Sequence, residues 1–163
     1  MTLTYGNSSP KDILGKAQRD LSRLEAAEAA HESEEINDSL FDLAIALTSL
    51  KDWLREHPSV TYAVNDVEHY WQASVTLSAF RDLANAGKHR NITKYTPTTI
   101  DALTSASYAP LTIMETAAKA AGRGTKYPRI KIIRADGTRH RAVDLGRAAI
   151  KECQSFMTRY GVA

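Results

Sequence analysis

Arg81, Asp82, Asn85, Lys88 and His89 crowd into the stretch F-R-D-L-A-N-A-G-K-H-R-N-I, residues 80–92. Guanidinium, carboxylate, amide, ammonium and imidazole are groups that hold a phosphate, a nucleotide or a metal, or that serve as a base. On a helix, Asp82, Asn85 and His89 stand three and four residues apart and share a face, while Arg81, Asn85 and Lys88 share the adjacent one. The same residues also have a purely structural use. Lys88, His89 and Arg90 would complement the negative end of a helix that stops at Gly87, and Asn85 could bond a neighbouring helix.

Two other clusters could carry chemistry. Glu34, Glu35, Asp38 and Asp42 run along one helix, and carboxylates four apart can ligate a metal. No Glu-x-x-His accompanies them, and acids are favoured near a helix N-terminus, so the expectation is a solvated face with no metal and no other cofactor. Arg129, Lys131, Arg139 and Arg141, helped by Arg123, Lys126, Arg134 and His140, make a basic ribbon face suited to an anion or to nucleic-acid phosphates. Only Tyr127 is near for stacking bases, and the same charges could guard a strand edge or dock on acidic helices. Nucleophilic motifs are missing: there is no G-x-S-x-G, Walker loop or G-x-G-x-x-G, and Cys153 falls on an apolar helical stripe.

The elements that would position these residues are mostly helical. Ser9-Pro10-Lys11-Asp12 reads as a capping box with proline at the first helical position, followed by the stripe Leu14, Ala17, Leu21, Leu24. Ser33 begins a second helix in which Ile36, Leu40, Leu43, Leu47, Leu50 and Leu54 recur at spacings of four and three, widened by Phe41, Ala44 and Trp53; Pro58 ends it. A third helical region, capped at Asn65-Asp66, carries Val67, Tyr70 and Trp71, bends near Ser74, and continues through Leu77, Phe80, Leu83 and Ala84. Residues 91–108 read mostly as loop, 109–121 fit either a helix or a strand, and Gly122-Arg123-Gly124 reads as a turn.

Ile130–Ile133 followed by Ala135-Asp136-Gly137-Thr138 signals a hairpin. A two-residue turn would set Arg134 opposite Arg139. A three-residue loop with Gly137 left-handed avoids that pair and puts Ile130, Ile132 and Ala142 on one face. Asp144 then caps a last helix with the stripe Leu145, Ala149, Cys153, Phe156, Tyr160. The expected fold is mainly α: an antiparallel bundle of three long helices with a small C-terminal β-hairpin or meander and a final helix. Residues 1–163 form a single domain, with the bundle at 9–90, loop and β element at 91–143 and closing helix at 144–160.

Length and charge agree with this. The 163 residues suit one domain with a core of its own. Residues 1–80 hold 6 Lys/Arg against 13 Asp/Glu, and residues 81–163 hold 15 against 6, so a net charge of +2 conceals an acidic half and a basic half. Either the halves pack on each other, or the basic one faces an anion. One cysteine excludes an internal disulfide framework. The start M-T-L-T-Y-G-N-S-S-P lacks the pattern of a secretory signal, and no run approaches the ~18 apolar residues of a membrane span, so the expected setting is the cytoplasm, without a membrane partner.

The pairing of F-D-L-A-I-A-L-T-S-L-K-D-W-L (41–54) with F-R-D-L-A-N-A-G-K-H (80–89) resembles a group of uncharacterised bacterial and phage-borne helical proteins. In these a D-x-A-N-x-x-K-H helix follows a Trp-bearing helix, and a D-G hairpin and final helix close the chain; the likeness covers residues 33–160. More remotely, the helical part is similar to HEPN domains of toxin and defence systems. Their RNases carry an arginine, four to six residues, then a histidine; here seven residues separate Arg81 from His89. What this likeness would imply is an RNase or nucleotide-binding component with Arg81 and His89 as its pair, built by dimerisation. The reading preferred from the residues is a non-enzymatic binding or interaction module that self-associates through its Leu-rich helices or meets a protein partner, with nucleic acid bound at the basic hairpin as a further alternative.

Overall fold

Helix α1 (Pro10–Ala30) starts as its sequence dictates. Ser9 accepts from the Asp12 backbone N–H at 3.3 Å, the Asp12 carboxylate accepts from the Ser9 N–H at 2.9 Å, and Pro10 follows directly. The computed structural model describes residues 6–60, 64–88, 97, 99–104 and 130–162. His89 and Arg129 lie outside the described residues, as do Arg90, Arg123, Lys126, Tyr127 and the ambiguous stretch 109–121.

After a left-handed His31 (φ 62°), α2 (Ser33–Glu56) packs back along α1. All six residues of its predicted stripe are buried. Each such side chain stabilises the fold by about 1.5–3 kcal/mol on burial. Phe41, expected to widen that stripe, is instead 40% exposed and lies over Gly87. The third helical region is two helices, α3 (Val64–Ala73) and α4 (Val75–Lys88), divided at Ser74 where a bend was expected. The break at Ser74 has a visible cause. The Ser74 hydroxyl caps α4 by accepting from the Leu77 N–H, and Glu152 of the last helix takes hydrogen bonds from both Ser74 and Thr76.

Three antiparallel strands follow in the order β1 (Thr99–Thr104), β2 (Ile130–Arg134), β3 (Arg139–Arg141). The β2–β3 register pairs Lys131 with Arg141 and Ile133 with Arg139, which is the three-residue loop, with Gly137 at φ +82° where a Cβ would be strained. Strand β1 corrects the reading of residues 91–108 as loop. It pairs Thr104 with Ile130 and Thr99 with Arg134, a partner distant in sequence that local composition cannot announce. Helix α5 (Ala142–Arg159) begins straight out of β3, so its first turn contains Asp144 rather than being capped by it.

The core is shared by all five helices and by β2. Gly146 of α5 lets its backbone approach so closely that a Cβ there would meet Leu21 and Leu43 side chains at 3.0 and 3.1 Å, with Phe80 at 3.7 Å. The sheet packs Ile130 and Ile132 into this core and is tied to the bundle at its margins by charged groups. Glu28, 3% exposed, accepts from the Ile130 N–H at 3.2 Å and from the Arg141 guanidinium at 2.6 Å, so it clamps the open end of the hairpin to α1. At the other end, Asp82 accepts from the Thr99 N–H at 3.0 Å, and Arg134 donates to the Val75 carbonyl at 2.7 Å. Arg147 adds a pair with Glu25 at 2.9 Å. Part of the acidic half thus docks directly on the basic half. Among the described residues, no helix is long and apolar enough to cross a membrane.

Candidate functional site

Three helices leave a polar groove of about 600 Å³ between them, within the roughly 300–1,000 Å³ of small-molecule sites. Helix α2 contributes Thr48, Lys51 and Asp52, and α3 contributes Glu68 and Gln72. Helix α4 contributes Arg81, Asn85 and Lys88, the face predicted from their spacing.

Its internal bonding is asymmetric. Glu68 receives the Lys51 ammonium at 3.1 Å and the Gln72 amide at 3.1 Å, so both carboxylate oxygens are used. Burial pushes the Glu68 carboxyl up, but the hydrogen bonds from Lys51 and Gln72 and the charges of Lys51 and Arg55 outweigh it, leaving the net shift below the ordinary carboxylate value. The Thr48 hydroxyl is turned onto the Ala44 carbonyl. Lys51 is largely covered, with 14% of its side chain exposed, and forms part of the groove wall. Lys88 is exposed.

The residues singled out in the sequence separate into different roles. Asn85, Lys88 and Arg81 line the groove, whereas Asp82 turns away from it, buried, to hold Arg81 at 3.0 Å and the first strand. Asp82 therefore anchors the sheet rather than completing a ligand cluster with Asn85. Lys131 and Arg139 remain exposed on the hairpin. Arg141 is withdrawn from that basic face by Glu28, which also raises its guanidinium's pKa, and Arg134 points to α4. On the acidic helix, Glu35 and Asp42 are bridged by Arg23 at 2.7 and 2.9 Å. Among the described residues, no group of three or more His, Cys, Asp or Glu could hold a metal.

Cys153 is fully buried, and desolvation, with the nearby Glu152 charge, pushes its thiol far above the ordinary range, so it is protonated packing. The large apolar side chains exposed among the described residues are Phe41 and Val75, and the leucines of α2 are turned into the core. Thr48, Lys51, Glu68 and Gln72 were not anticipated as site residues. The one local signal is Lys51, set between the buried Leu50 and Leu54, where its stem must be covered. Compared with known proteins, the chain matches no family model, no curated protein and no solved structure.

Proposed function

We propose that this chain is a non-enzymatic binding module that takes a small polar ligand in the groove between α2, α3 and α4. The observation that carries the reading is the convergence of side chains from three separate helices on one polar concavity. A binding role is also favoured over catalysis by the state of the reactive groups. The Glu68 carboxylate already accepts from Lys51 and Gln72, the Thr48 hydroxyl donates to backbone, and the one thiol is buried and protonated.

The test uses amide spectra of the ¹⁵N-labelled chain with cationic, neutral and anionic probes of metabolite size. Shifts that centre on Thr48, Lys51, Gln72 and Asn85 are expected for at least one probe, and the reading fails if none moves them. The competing reading, RNA cleavage by Arg81 with His89, shares Arg81 with the groove. Incubating bulk RNA with wild type and with His89→Ala separates the two: cleavage that disappears in the variant would favour the RNase.

A further inference from the structure

We infer that the ligand of this groove is a small polyvalent oxyanion, a molecule bearing phosphate or clustered carboxylate groups; this deepens the binding-module reading and rests on it. The lining is rich in donors and short of acceptors. Both oxygens of Glu68 are engaged by Lys51 and Gln72, and Asp52 faces Arg55 at 4.0 Å. Among the described residues, the Lys51 ammonium donates only to Glu68, which leaves capacity among its three hydrogens. Lys88 has no ion pair or hydrogen bond among the described residues and lines the same groove.

A cationic ligand would find Glu68 already bonded to Lys51 and Gln72 and would meet Lys51 and Lys88 as like charges. A neutral ligand would leave the ammonium of Lys88 without a counter-charge. An oxyanion satisfies both lysines with charge-assisted bonds. More than one anionic group is expected because Lys51 and Lys88 stand on different helices and an exposed single charge pair binds weakly.

The ¹⁵N-labelled full chain is titrated with pyrophosphate, citrate, spermidine and glucose. The expected result is a saturable shift of Thr48, Lys51, Gln72 and Asn85 amides with pyrophosphate, citrate or both, weakened as salt rises. Response to pyrophosphate alone assigns a phosphate ligand, and response to citrate alone a carboxylate. Lys88→Glu, at an exposed position where folding is readily confirmed by circular dichroism, should weaken binding by about tenfold or more. Lys51→Gln should do the same by an independent route. Groove shifts with spermidine or glucose but neither anion would overturn the oxyanion inference and leave the binding module standing. No groove shift with any of the four would overturn both. Anion-induced shifts centred on Lys131 and Arg139, unchanged in Lys88→Glu, would overturn the inference in favour of the hairpin.

Discussion

The bundle and the sheet are held by different forces. Between α1, α2, α4 and α5 the core contacts are apolar and continuous, with ion pairs such as Arg147–Glu25 only at the margins: Leu24, Leu43, Leu47, Phe80 and Cys153 are all buried. The sheet adds only Ile130 and Ile132 of β2 to that buried cluster among the described residues, and at its margins it is tied to the helices by Glu28, Asp82 and Arg134, each a charged group satisfying a backbone or guanidinium partner. Hydrophobic contact is non-directional and tolerates repacking, whereas a buried carboxylate stabilises only while its partners stay in place. Substitution in the bundle should therefore lower stability everywhere at once, and loss of a clamp should loosen the sheet more than the helices.

The sharpest way to break that contrast is Glu28→Ala. It leaves the Ile130 N–H and the Arg141 guanidinium without their acceptor and should cost about 3–5 kcal/mol. Native-state hydrogen exchange is the check: hairpin amides such as Ile132 should lose protection while those of α2 keep it. Glu28→Gln, which retains an acceptor for Ile130, should recover part of the loss. Leu47→Ala should cost about 2–5 kcal/mol, and here all probes should fall together in a denaturant titration. Gly146→Leu should cost about 1–3 kcal/mol by overpacking against Leu21 and Leu43, seen as a lowered melting temperature. Ser9→Ala removes the capping box and should cost about 1 kcal/mol, read from the urea midpoint.

The smallest effect belongs to the groove. The Glu68 carboxyl lies below its ordinary value of 4.5 in the folded chain, so its contribution to stability is present above that value and lost as pH falls through the folded one. Because the side chain is 39% exposed, the contribution should be below about 1 kcal/mol. Comparing the acid-induced loss of stability in wild type and Glu68→Gln would show it as a slightly steeper decline in wild type.

The same contrast explains what the sequence disclosed. The stripe from Ile36 to Leu54 and the box at Ser9 and Asp12 are local patterns, and both appear as read. The hairpin register followed from avoiding Arg134 against Arg139, yet the observed register sets Lys131 opposite Arg141, another like-charged pair. Glu28 neutralises Arg141 from a helix far away in the chain, which no hairpin-level rule contains. Strand β1 was hidden for a similar reason: its partner is β2, and its first N–H is secured by Asp82. In the groove, the spacing of Arg81, Asn85 and Lys88 was legible. Their company with Lys51, Glu68 and Gln72 depends on how three helices pack, and no motif within one helix encodes that.

The Glu28–Ile130 bond joins positions 102 residues apart. A contact of that separation closes a very large loop, and its entropic cost falls due before any reward arrives. The α1–α2 pair, linked by a short turn, can form early, so the clamp should be absent from the folding transition state. Glu28→Gln should then leave the refolding rate nearly unchanged and appear almost wholly as faster unfolding in stopped-flow measurements. One side chain at the end of α1 would in this way set how long the native chain persists rather than how quickly it is reached.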